Sequence, residues 1–172
     1  MKRTTTHNII FCTLFVTLII VGAFIKIPIP PIPLTLQSLF VLLSGLILGK
    51  KLGTLSVLIY ILLGLMGLPI FAGGIGGVGS LLMPSFGFII GFALASCICG
   101  LLADKPYIAS FLSMASIYVC GITYYVILQS FVLNETVDLT KLFVGTLVLS
   151  IPKDIVVCLI SATISKKVKK II

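Results

Sequence analysis

Six apolar segments, at about residues 9–27, 35–49, 52–68, 85–103, 107–131 and 142–165, take up most of this 172-residue chain. A helix needs roughly 20 apolar residues to cross a hydrocarbon core of ~30 Å. The second segment is short, and is expected to draw on its flanks or to pack against longer neighbours. Hydrophobic residues make up 59% of the chain and charged ones 9%, against about 25% charged in soluble domains. So much apolar surface has no place in a soluble fold of this size. The expected fold is an all-α membrane protein, a single transmembrane domain over residues 1–172, with six transmembrane helices in a small bundle.

The charges orient that bundle. The net charge is +8, but the basic residues sit at segment ends and not on one folded face, which argues against a nucleic-acid partner. With the N-terminus inside, Lys2, Arg3, Lys50, Lys51, Lys105, Lys166, Lys167, Lys169 and Lys170 all fall on the cytoplasmic side. Only Lys26 and Lys141 fall outside, and Lys153 lies within a span. That bias predicts an N-in, C-in multi-pass protein of the cell membrane. Met1-Lys2-Arg3 before an apolar run resembles a signal peptide, but Ile25-Lys26-Ile27-Pro28 follows where a small-x-small cleavage site would stand. The first segment therefore reads as a retained helix.

The outer connections are elaborate and the inner ones short. Residues 26–33, KIPIPPIP, are too proline-rich for helix and favour an extended strand. Residues 68–85, LPIFAGGIGGVGSLLMPS, are glycine-rich and uncharged, which suggests close backbone packing over something. The asymmetry predicts a lidded pocket opening outward. Gly74-Ile-Gly76-Gly77-Val-Gly79 fits G-x-G-x-x-G, but it lacks the strand, the helix and the downstream acid of a dinucleotide site. Gly45–Lys51 has the wrong spacing for a P-loop. No cofactor is expected, and ATP, if used, belongs to another subunit. Cys12, Cys97, Cys99, Cys120 and Cys158 lie in apolar runs, with no ligand pattern for a metal.

Lys153-Asp154 is the charged pair inside the last apolar segment. Each charge costs roughly 2.5–3.5 kcal/mol at the centre of a span. If that helix begins near Leu142, Asp154 lies about 18 Å deep, close to the midplane. The pair either satisfies itself and fixes packing, or serves a substrate site, and the second reading is favoured. Gln37, opening the second span beside the proline loop, is a candidate donor and acceptor for the same pocket. Tyr118 and Tyr124 form an aromatic wall or pack between helices. His7 is the single histidine, and Asp104, Glu135 and Asp138 sit in loops. No set of catalytic groups at matched depth is available, so the chain is not expected to be an enzyme.

Several stretches together resemble one family. Lys26–Gln37, KIPIPPIPLTLQ, and Gly67–Gly79, GLPIFAGGIGGVG, are similar to outer loops of the BioY family of biotin transporters. Pro84–Phe92, Ile117-Tyr-x-x-Gly121 and Pro152-x-Asp154 resemble its later helices, in order and with matching spacing. The resemblance implies a six-helix S component of an energy-coupling factor transporter. Such a protein captures biotin from outside and works with a transmembrane coupling protein and two ATPases. Taken with the polar and aromatic residues above, it points to a substrate site of Gln37, Phe71, Gly74, Phe88, Tyr118, Tyr124, Lys153 and Asp154, in which the glycine loop covers the apolar part of the ligand. Thr13 and Thr17 stand where the family carries Ala-x-x-x-Ala toward its coupling protein. Phe88 stands for a family Tyr, and Val157 for the Lys three residues after the Asp. Lys153 faces nearly the same way as that lost Lys, one turn away, and is expected to meet the biotin carboxylate in its place. A different vitamin is the alternative substrate; an intramembrane enzyme is the alternative from another class.

Overall fold

The first helix stops where proline begins to dictate the backbone. A residue before proline is pushed out of the helical region, and Ile27 precedes Pro28. In the computed structural model, which describes residues 5–28, 33–132, 148 and 150–170, α1 (Thr5–Phe24) accordingly ends before Lys26. Lys26–Ile27 form β1, which pairs antiparallel with β2 (Leu34–Thr35); Lys26 lies opposite Thr35 and Ile27 opposite Leu34. The expected first span of 9–27 thus loses its last residues to a bend and a strand. The proline stretch is extended at both described ends, as expected, but its ends pair as a ribbon. Residues 29–32 lie outside the described residues.

Helix α2 (Gln37–Leu65) contains a break at Gly49, with φ 80° and ψ 177°. Only glycine takes that conformation at low cost. The chain turns back on itself there, so α2 is a hairpin of two arms. At the turn, a Cβ on Gly53 would stand 2.7 Å from the Ser44 carbonyl oxygen. At the far end, Gln37 meets Tyr60. The second and third apolar segments are these two arms, with helix beginning at Gln37 instead of residue 35.

The glycine loop follows, with an isolated bridge between Phe71 and Ile75 and a 3-10 turn over Val78–Leu82. Gly76 is packed so closely that a side chain there would overlap the Leu68 carbonyl, which is the tight backbone packing its composition suggested. Helix α3 (Phe86–Leu101) runs back to the Gly49 end. Pro106 opens α4 (Pro106–Ile127) at the position where a missing N–H costs nothing. The helix widens into a π-turn over Leu128–Val132. Helix α5 (Ser150–Lys169) carries Lys166, Lys167 and Lys169 in its last turn, favourable to the helix dipole. Glu135, Asp138, Lys141 and residues 142–147 lie outside the described residues, and with them the expected start of the last span.

The described chain is mostly helical, and α3 packs between α2 and α4, with α1 on α2 and α5 on α2 and α4. Small residues set these approaches: side chains on Gly45 or Gly100 would overlap the Ser96 carbonyl or the Lys50 backbone. Serines bond across the helix seams, Ser44 to Ser96 at 2.9 Å and Ser110 to Ser161 at 3.1 Å. Others bond back into their own helix, Ser56 to the Leu52 carbonyl at 2.9 Å among them. The outward faces are apolar instead, as at Ile10, Leu14, Leu62, Leu112 and Val119. Polar groups inside and apolar ones outside is the arrangement a lipid solvent selects. By length and composition, three described helices could cross a membrane: Thr5–Phe24, Gln37–Leu65 and Pro106–Ser130.

Candidate substrate site

At the end of the bundle that carries the β ribbon and the glycine loop, a cavity opens between α2, α3, α4 and α5. Gln37, Phe71, Phe88, Tyr118, Lys153 and Asp154 all line it. Distant parts of the chain meet here because the Gly49 hairpin returns Tyr60 to Gln37, while the second turn of α5 faces α4.

One wall is polar and charged. Asp154 is only 6% exposed. Its Oδ2 accepts a hydrogen bond from the Tyr118 hydroxyl. Its Oδ1 lies 2.9 Å from the Lys153 ammonium, and a carboxylate oxygen has a second lone pair with which to accept a further hydrogen bond. Lys153 Nζ also donates to the Thr35 carbonyl at 3.0 Å, tying α5 to β2. A buried carboxylate persists only when paired and hydrogen-bonded, and Lys153 and Tyr118 supply both. The pair sums to no net charge. Beside it, Gln37 Nε2 donates to the Tyr60 hydroxyl at 2.6 Å, and Thr35 Oγ1 donates to Gln37 Oε1 at 3.2 Å.

The facing wall is apolar. Phe71 stands edge-on to Tyr60 and Phe86, with ring centroids 5.4 and 6.1 Å apart. Phe88 stands edge-on to Tyr118 at 6.3 Å. Ile89, Phe92, Met114 and Ile117 complete this side. Two buried hydroxyls on the lining, Ser38 and Ser80, have no hydrogen-bond partner among the described residues. Buried polar atoms without partners are costly, and here they line the same cavity as the Asp154 carboxylate. The chemistry on offer is recognition of a small molecule with N–H donors and a carbonyl at one end and an apolar body at the other.

Two expected site residues lie off this lining. Tyr124 packs its ring on Phe86 at 6.1 Å and donates its hydroxyl to the Leu81 carbonyl. It holds the 3-10 turn in place behind the wall. Gly74 is at a turn with φ 72°, and no atom lies within 4 Å of where its side chain would be. Thr13 and Thr17 are exposed on α1, bonded to the carbonyls of Ile9 and Thr13 at 3.0 Å each. Thr35, Ser38, Ser80 and Phe86 also line the cavity and were not foreseen. Ser38 follows Gln37 directly in sequence and Thr35 lies two residues before it. Among the described residues no group of three His, Cys, Asp or Glu is placed to hold a metal.

The BioY family profile matches residues 1–172. A biotin transporter BioY of Thermotoga maritima is 41% identical over 96% of this chain and 97% of its own length. A probable biotin transporter BioY of Lysinibacillus sphaericus is 35% identical over 99% of this chain and 91% of its own. The crystal structure of an S-component for biotin from an ECF-type ABC transporter superposes with a TM-score of 0.77 at 28% identity, covering 99% of this chain and 94% of that one.

Proposed function

This chain belongs to the BioY family, and from that premise we propose that it is the substrate-specific component of an ECF-type biotin transporter, a transporter and not an enzyme. The observation that carries the substrate reading is the buried carboxylate of Asp154, held by Lys153 and Tyr118 with lone pairs left to accept from a ligand, on the lining of an aromatic cavity. Biotin's ureido ring presents two N–H donors and a carbonyl. Asp154 Oδ1 accepts a ureido N–H. Lys153 was expected to meet the carboxylate; because it already donates to Thr35 and pairs with Asp154, it is placed instead with its remaining N–H toward the ureido carbonyl. Ser38 and Ser80 offer further hydroxyls. The thiophane ring and valeryl chain lie against Phe71, Phe86 and Phe88, where each Å² of apolar surface removed from water contributes about 25 cal/mol. The glycine loop, Gly74 included, forms the cover, and Tyr124 braces it.

The same reading supplies the membrane frame. Counting the two arms of α2 separately gives six crossings with α1, α3, α4 and α5. Both termini are cytoplasmic, on the charge distribution, and the cavity opens to the outside of the cell membrane. ATP is consumed by partner subunits, two ATPases joined through a transmembrane coupling protein. The exposed Thr13 and Thr17 are small residues four apart, which allow that coupling protein a close helix approach. No cofactor of the chain's own is required.

The test is equilibrium binding of radiolabelled biotin to the purified full chain. Saturable binding at about micromolar concentration or tighter is expected. Weaker binding would remove biotin as the substrate.

A further inference from the structure

We infer that Lys26, on the rim of the cavity, is the cation that holds the substrate's carboxylate, a role resting on the biotin reading above and separate from that of Lys153. Among the described residues the lining holds one cation and one anion, Lys153 and Asp154, 2.9 Å apart. The Lys153 ammonium is further committed to the Thr35 carbonyl. A substrate monoanion entering this lining would find no uncompensated positive charge among the described residues, and an unpaired carboxylate in an apolar cavity is strongly disfavoured. Its carboxylate is at the end of a flexible chain, opposite the ureido ring. With the ureido ring at Asp154, that chain points toward the mouth.

Lys26 is the cation in the right place. It pairs directly with Thr35 across the β ribbon. Residues opposite one another in an antiparallel pair project from the same face. Thr35 projects its hydroxyl to Gln37 on the cavity wall, so the Lys26 stem leaves the ribbon on the cavity side. Its ammonium reaches the glycine loop: a Cβ built on Gly73 would stand 3.2 Å from Lys26 Nζ. The neighbouring Ala72 lines the cavity. Gly73, with φ 101°, leaves open the space that the ammonium occupies. Lys26 has no hydrogen bond or ion pair among the described residues. The other described lysines, apart from Lys153, lie at the opposite end of the bundle, by the Gly49 turn, before Pro106 and at the end of α5. Among the described residues the rim therefore carries an unpaired positive charge that reaches from the ribbon toward the glycine loop. A carboxylate bound there would also hold those two elements together.

The test compares biotin with neutral biotin amide by calorimetry on the full chain and on Lys26→Gln, Lys26→Arg and Lys153→Gln variants. Wild-type protein should prefer biotin by about tenfold, the scale of one charge-assisted hydrogen bond, and added salt should erode the preference because the ammonium is solvent-accessible. Lys26→Gln should lose about that factor for biotin and none for the amide, and Lys26→Arg should retain most of the preference. Lys153→Gln should weaken both ligands alike. An unchanged biotin-to-amide ratio in Lys26→Gln, or loss of the ratio in Lys153→Gln instead, would overturn the assignment to Lys26 while leaving biotin as substrate. Failure of the wild type to bind biotin would overturn both.

Discussion

Gln37 at the start of α2 and Tyr60 near its end meet at 2.6 Å, amide to hydroxyl, with Tyr60 fully buried. This bond closes the open end of the hairpin that Gly49 begins, and it sets the amide beside the cavity. Removing the hydroxyl in Tyr60→Phe leaves a buried amide N–H without its partner, at a cost of about 1–3 kcal/mol. The variant should unfold at lower temperature in a detergent thermal scan. Its biotin affinity should fall as well, because Gln37 is freed to move. An unchanged melting temperature would show that the bond contributes nothing to the hairpin.

Tyr118 positions Asp154 from α4. Tyr118→Phe should weaken biotin binding by about tenfold, the worth of one hydrogen bond to a charged group. Combined with Asp154→Asn, the loss should be less than the product of the two single losses, since both act through one contact. Independent, fully additive effects in this double-mutant cycle would separate Tyr118 from the Asp154 site.

Gly64 is where the second arm of α2 makes room for Phe71, whose ring would overlap any side chain there. Gly64→Ala must displace the wall of the cavity and is expected to cost about 1–3 kcal/mol through overpacking. Gly79→Ala is the control, because nothing lies within 4 Å of its side-chain position. Biotin binding should fall in the first and persist in the second. Equal tolerance would mean that Phe71 is not fixed in the wall.

The charge distribution predicts which side of the membrane each loop faces. A single cysteine introduced at Lys50, in a background without the native cysteines, should react with a membrane-impermeant thiol reagent only after the cells are opened. Labelling of intact cells would reverse the orientation proposed here.

Much of this architecture was legible from residue patterns. Apolar runs of membrane length, broken by Pro, Gly and Lys, locate helices because each breaker acts locally: Pro106 begins a helix and Gly49 turns one. Asp154 and Lys153 stood out because a charge in an apolar run needs a partner. What was not legible depends on contacts between distant segments. The commitment of Lys153 to the Thr35 carbonyl spans 118 residues, and nothing near either residue announces it. The same holds for Tyr60, which reads as one more aromatic in an apolar run until the hairpin brings it to Gln37. Tyr124 matched the expected site by type and position but sits behind the wall, a distinction that only the turn of α4 decides.

Asp154 is the group proposed to select the substrate, and one substitution isolates its contribution. Asp154→Asn keeps the size and neutralises the acceptor, so a ureido N–H loses its anionic partner while the fold keeps its shape. Titration of biotin into wild-type and Asp154→Asn protein, each first shown to be folded by its melting curve, should give a loss of about a hundredfold or more, as expected on removing a buried charged hydrogen-bond partner. Wild-type affinity in a folded Asp154→Asn protein would contradict the account.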